Sequence, residues 1–189
     1  LAPSSYQELQ QMFEDAMAMT DGPVAIRWSK TPAPHVGWDE VGRGLAARRL
    51  RAGDGQVCLL GAGKMLAAAQ DAADELAAEG IDATVWDPRC IRPLDEEMLA
   101  DAARHRLVVT IEDGFREGGF GTGVLDALAA RSHQNEMPGV SVLGVPVAHH
   151  AHGSADALLA SFGLDGPGVA STVRSRLGTA TQEQKGPQE

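Results

Sequence analysis

Residues Leu107 to Gly123 read LVVTIEDGFREGGFGTG, and this stretch decides the fold. Leu107, Val108, Val109, Thr110 and Ile111 are apolar or β-branched without alternation, the pattern of a strand buried on both faces of a parallel sheet. The run empties into the acidic pair Glu112 and Asp113 and a loop holding five glycines. Open α/β sheets place ligands or partners where such a strand leads through a glycine-rich loop into a helix, because backbone N–H groups are exposed at the helix start.

Working outward, strand and helix patterns alternate. Gln56–Leu60 and Ala83–Trp86 read as strands, with a helix over Ala62–Glu79 between them whose Met65, Leu66, Ala69, Ala73 and Leu76 recur at helical spacing. Pro93-Leu94-Asp95 opens a helix with an acidic first turn and with Arg104 and His105 at its end, as the helix dipole favours. After the central stretch come a helix over Thr122–Arg131, a strand over Val140–Val145 and a closing helix over Asp165–Leu177. The alternation predicts an α/β fold, a mostly parallel sheet with helices on both faces and right-handed crossovers.

Upstream, Ser5 to Glu8 spells the capping-box pattern S-x-x-E, and Leu9, Met12, Phe13, Ala16 and Met17 then recur on one predicted helix face. Pro23–Ser29 follows as a short extended run with Val24, Ile26 and Trp28 on one side. One helix and one strand bury too little to fold alone, so residues 1–30 are expected to be the tail of a preceding domain. Residues 31–54 are expected to form a linker, 55–178 the main domain and 179–189 a disordered polar tail.

The chain has 189 residues and a formal charge of −10, which argues against nucleic acid as a partner. No apolar run reaches the roughly 18 residues of a membrane helix and no leader pattern is visible, so a cytoplasmic protein without membrane partners is expected. Cys58 and Cys90 lie in neither a disulfide framework nor a zinc pattern and read as buried small hydrophobes.

Each stretch with chemical promise has a structural reading beside it. Gly61-Ala62-Gly63-Lys64 is half of two nucleotide-binding patterns and completes neither, since Cys58, Met65 and Leu66 stand at the deciding positions; a tight strand-to-helix turn is favoured. Gly118, Gly119, Gly121 and Gly123 could cradle an anion or let two backbones pass closely, and packing is favoured. Glu112 and Asp113 point to opposite faces of a strand, which suits capping or loop-holding better than acid-base work. His149, His150 and His152 lack a further ligand nearby and read as exposed loop. Arg27 and Lys30 stand at a strand end, where a cation is a natural phosphate anchor, but alternation sends them to opposite faces.

Taken together, GPVAIRWSK, VCLLGAGKM, VWDPRCIRPLD, LVVTIEDGFREGGFG and GVP followed by HG resemble, in that order, the C-terminal part of the 1-deoxy-D-xylulose-5-phosphate synthase family, and more loosely transketolases and 2-oxoacid dehydrogenase β subunits. The resemblance runs from about Asp21 to Leu177, and Asp87 to Asp95 is its most specific piece. It implies a parent enzyme that joins pyruvate to glyceraldehyde 3-phosphate with loss of carbon dioxide, using thiamine diphosphate and magnesium, and that works as a homodimer. The cofactor and metal sites it implies belong to N-terminal domains missing from this chain. The fragment is then expected to bind no cofactor, to support the dimer and to be inactive alone. Where the family carries R-Y-P-R-G, whose second Arg meets the phosphate of the substrate, this chain has Arg27-Trp28-Ser29-Lys30, so the resemblance assigns substrate-phosphate binding to Lys30. Val147, Ala148 and His149 replace the usual Asp-aromatic pair after Pro146, the mark of a divergent member. A stand-alone binding or subunit-contact module of the same fold is the alternative.

Overall fold

The computed structural model describes residues 1–131 and 137–183. Strands β1 (Arg48–Arg51), β2 (Val57–Gly61), β3 (Thr84–Asp87), β4 (Leu107–Phe115) and β5 (Gly139–Val145) form a single sheet in the order β1-β3-β2-β4-β5. All neighbours pair in parallel except β1, which runs antiparallel to β3. Helices α2 (Leu66–Ala77), α3 (Glu96–Ala102), α4 (Phe120–Arg131), α5 (Ala155–Ser161) and α6 (Gly166–Glu183) follow in chain order, after α1 (Tyr6–Ala18) at the start.

The two faces of β2 explain the layers. Val57 and Leu59 turn to one side, where they pack with α2 and α6 through Ala69, Leu76, Val169 and Val173. Cys58 and Leu60 turn to the other, against Met98, Leu99, Val124 and Leu128 of α3 and α4. Both cysteines are free thiols with no exposed surface. Helices on both faces of a mostly parallel sheet are what the alternating sequence requires.

Four local expectations need correction. A strand, β1, lies inside the stretch read as linker. It is four residues long and three of them are arginines, so it has no apolar signature; Arg51 reaches Asp74 and Asp82, and charge of this kind protects a sheet edge from further pairing. Pro23–Ser29 joins no sheet among the described residues. It is extended, and its backbone meets only Leu1, through Leu1 N to Ala25 O at 2.7 Å and Arg27 N to Leu1 O at 2.9 Å. Helix α6 continues to Glu183, through part of the stretch expected to be disordered, because no breaker after Gly178 interrupts a helix already nucleated by packing; residues 184–189 lie outside the described residues. Helix α5 went unread because seven residues are too few to establish a period.

Helix α1 does not turn its apolar stripe to the sheet domain: Met12 is buried, but its buried neighbours are Glu8 and Gln11, while Phe13 and Met17 are exposed. Ser5 caps the helix by accepting the Glu8 N–H at 3.1 Å. The Glu8 carboxylate does not return to Ser5; it is used elsewhere.

Candidate functional site

Glu8 reaches across to the turn after β3. Its Oε2 accepts from Arg89 Nε at 2.9 Å and its Oε1 from the Gly42 N–H at 2.7 Å, and both side chains are fully buried. Arg89 has a φ of +55°, in the left-handed region that a non-glycine residue adopts only when its surroundings fix it. The surroundings do so: Nη1 donates to the carbonyls of Arg43, Gly44 and Ala46, at 2.7 Å for the last, and Ala2 N donates to the Arg89 carbonyl at 2.8 Å. A side chain on Gly42 would collide with the guanidinium, with Nε only 2.3 Å from an added Cβ. Arg89 Nη2 is buried with no hydrogen-bond partner among the described residues.

Asp87 completes this cluster. Its Oδ2 accepts from Ser4 Oγ at 2.6 Å and its Oδ1 from the Arg89 N–H at 3.0 Å. Burial pushes its carboxyl up to about 7 despite the Ser4 hydroxyl, and nearby Glu8 adds to the rise. A carboxyl that holds its proton more tightly when folded stabilises the fold at low pH. That contribution is full below the ordinary value of 3.8, falls as the pH rises, and is gone above about 7. Urea midpoints measured between pH 5 and 8 are expected to drop relative to those of Asp87→Asn, on the order of 2 kcal/mol across the interval; parallel profiles for the two proteins would contradict the assignment.

The cluster joins three pieces of chain that the sequence places far apart, namely helix α1, residues 42–46 and the DPR turn. The DPRCIRPLD stretch was legible as a landmark, but the role of Arg89 as a clasp on α1 was not. Its partner Glu8 was hidden by a capping-box pattern that accounts for it locally.

The strand that opened the sequence reading leads to a second cluster. Glu112, near the end of β4, turns back over the start of α4, and its two oxygens accept the N–H groups of Phe120 and Gly121, each at 2.9 Å. Burial raises its pKa, against the donors from Gly121 and Phe120. The anion seat at the start of α4 is therefore taken by the protein's own carboxylate. The glycines make room for it: an added Cβ on Gly119 would lie 2.2 Å from Glu112 Oε2 and 2.4 Å from the Phe115 carbonyl, and one on Gly121 would lie 2.3 Å from Thr110 Oγ1. Asp113 points the other way and meets Arg27 Nη1 at 2.6 Å. Glu112 thus takes the capping role expected of one member of this acidic pair, while Asp113 ties the N-terminal segment through Arg27.

Between these groups and the N-terminal segment lies a cleft of about 200 Å³, whose wall includes Ala2, Arg27, Arg92, Glu112 and Asp113. Arg92 has no carboxylate partner among the described residues. Lys30 does not line this cleft. It is exposed, on a bend held by Ser29 Oγ to Thr31 Oγ1 at 2.7 Å. Arg27 is committed to Asp113, while Lys30 stands outside the cleft.

The remaining candidates take their structural readings. Gly61 packs against Leu66 at the start of α2, and Lys64 reaches Asp156 at 3.9 Å, so the GAGK turn is a tight connection. His150 Nε2 lies 2.8 Å from the Pro146 carbonyl and its ring stands 4.6 Å from that of Phe162, while all three loop histidines are exposed. Among the described residues no three His, Cys, Asp or Glu side chains are grouped to hold a metal ion. With the α4 donors taken by Glu112 and no metal-holding group of side chains, the described residues do not fit thiamine diphosphate with its magnesium. No helix of the described residues is long and apolar enough to cross a membrane.

Comparison with known proteins accounts for this arrangement. Residues 46–169 match the family described as transketolase, C-terminal domain. The 1-deoxy-D-xylulose-5-phosphate synthase of Anaeromyxobacter dehalogenans is 39% identical over 184 residues, 94% of this chain, and that of Gloeobacter violaceus 37% over 189 residues, 95% of it. The chain spans only 29% and 28% of those proteins' lengths. Among solved structures, a split gene transketolase described as an inactive beta4 tetramer superposes with a TM-score of 0.82 at 30% identity, covering 92% of this chain and 56% of that one. A transketolase variant from Pichia stipitis shares the fold at a TM-score of 0.64 and 17% identity, over 92% of this chain and 24% of its own. With more than half its length matched and the same sheet, this chain belongs to the transketolase C-terminal domain family.

Proposed function

We propose that the chain is the C-terminal portion of a thiamine-diphosphate-dependent transferase that makes 1-deoxy-D-xylulose 5-phosphate and carbon dioxide from pyruvate and glyceraldehyde 3-phosphate. The observation that carries this reading is the similarity to synthases of that name across 94% of the chain. Thiamine diphosphate and magnesium then bind in the N-terminal domains of the parent, which functions as a homodimer. Residues 1–30 end its pyrimidine-binding domain, and the final domain takes in β1 and runs through α6. This portion supports the assembly and is inactive alone.

Within it, Lys30 is the group offered to the substrate. Its ammonium is exposed, and no carboxylate of the described residues competes for it. A lysine supplies charge to a phosphate without the two-pronged geometry of arginine. In the parent enzyme Lys30→Ala is expected to raise KM for glyceraldehyde 3-phosphate by roughly tenfold to a hundredfold, the worth of one charged hydrogen bond, with a smaller change for pyruvate. Lys30→Arg is expected to recover most of the loss. Steady-state kinetics with both substrates check this, and an unchanged KM in Lys30→Ala removes Lys30 from the site.

A second reading has an observation of its own. A similar solved structure is described as a split gene transketolase, an inactive beta4 tetramer, which supports a reading in which this chain belongs to a separate subunit. In that case the chain is one subunit of a two-chain enzyme. Carboligation assays on the isolated chain and on the continuous reading frame that contains it separate the two.

A further inference from the structure

The turn that leads into α2 presents Lys64 to a cavity of about 490 Å³, walled by the N-terminal segment, residues 28–34 and helices α2 and α5. The Lys64 side chain is only 23% exposed, yet its Nζ makes no hydrogen bond among the described residues. Its one carboxylate neighbour among them is Asp156, 3.9 Å away and 92% exposed, so water screens the attraction and the aspartate is free to swing clear. An ammonium largely withdrawn from water and left without acceptors carries an uncompensated desolvation cost. An oxyanion in the cavity would offset it.

The rest of the wall suits something flat and apolar. Tyr6 and Trp28 line it, both exposed, and each ring is braced by a neighbour: Trp28 stands 6.0 Å from Phe13, and Tyr6 5.0 Å from His35. Pro32 and Pro34 add rigid rings, and the Tyr6 N–H donates to the Pro34 carbonyl at 2.9 Å, which ties this strap to the start of α1. Ligand pockets combine such an aromatic and apolar lining with a few polar groups that fix orientation, and this volume lies within the roughly 300–1,000 Å³ they occupy. Lys30 is not on the wall, so the cation that serves the cavity is Lys64.

We propose that this cavity binds a small aromatic anion, a phosphate or carboxylate carried on a planar ring, with its charge on Lys64 Nζ and its ring against Trp28 and Tyr6. Lysine suits the role as a compact point charge that takes either oxyanion. The two braced rings supply apolar contact in offset or edge-to-face geometry. Asp156 competes for the same ammonium, and a neutral ring gains nothing from it, so charge selects the ligand as well as shape.

Calorimetric titration of the 189-residue chain with phenyl phosphate and with benzoate tests the site. At least one of the two is expected to saturate in the low-millimolar range, and the tighter one names the anion. The same anions without a ring, inorganic phosphate and acetate, are expected to bind roughly tenfold or more weakly. Lys64→Met, which keeps the apolar stem, is expected to weaken binding roughly tenfold to a hundredfold, the worth of a hydrogen bond to a charged group. Asp156→Asn removes the competitor and is expected to tighten binding about threefold. Binding is expected to change the emission of Trp28, and Trp28→Phe to abolish that change while heat of binding persists. Absence of saturable binding by either aromatic anion overturns the proposal, as does unchanged affinity in Lys64→Met. If Lys64→Met melts early, Asp156→Asn decides alone, since an affinity that stays the same or falls puts the anion elsewhere. Ring-free anions that bind as tightly as their aromatic counterparts overturn the part given to Trp28 and Tyr6.

Discussion

Glu8→Ala is expected to destabilise the chain by about 3–5 kcal/mol, because it strands the fully buried Arg89 charge without its carboxylate. Arg89 also holds three backbone carbonyls of residues 43–46, so the loss spreads to the connection into β1. For a domain of this size the change corresponds to a fall of roughly 6–20 °C in Tm. The pair itself is a weaker source of net stability than this figure implies, since desolvating two charges offsets most of their attraction. Glu8→Leu combined with Arg89→Met is therefore expected to recover a large part of the loss. Urea melts of the single and double variants decide it: a Glu8→Ala midpoint close to that of the unsubstituted protein would show that Arg89 finds other compensation.

Gly119→Ala is expected to be the next most damaging change, costing about 1–3 kcal/mol through overpacking. The added methyl meets two atoms that cannot give way together, the Glu112 carboxylate at 2.2 Å and the Phe115 carbonyl at 2.4 Å. If Glu112 moves, the Phe120 and Gly121 N–H groups lose their acceptor. Gly123→Ala, in the first turn of α4, is the control, since its nearest obstacle is the flexible end of Arg92 at 3.7 Å, and it is expected to cost nothing and to gain up to about 1 kcal/mol of helix propensity. Equal melting temperatures for the two variants would refute the close-packing account of the loop.

Much of the main domain was legible because burial on both faces leaves an unmistakable record. β4 is apolar from Leu107 to Ile111, and α2 places Leu66, Ala69, Ala73 and Leu76 at helical spacing; both took the positions expected. β1 was not legible, because an edge strand defended by arginines carries the composition of a loop. The inward face of α1 was not legible for a related reason. Periodicity identifies an apolar stripe but not which partner covers it, and here the sheet-domain side of the helix is polar because Arg89 and Gly42 supply its partners. At the glycine loop, sequence limited the options to an anion cradle or close packing; only the position of the Glu112 oxygens chose between them. Lys30 came from the resemblance, and its ammonium is exposed with no carboxylate partner among the described residues.

The clasp between Glu8 and Arg89 also bears on how this polypeptide can be cut. The family match begins at residue 46, and a designer who started a shorter gene there would sever the molecule through its most desolvated ion pair. Such an excised piece would keep every strand of the sheet and leave Arg89 without its carboxylate. A gene that keeps this pair starts ahead of Glu8, nearly forty residues before the stretch that shared ancestry marks out.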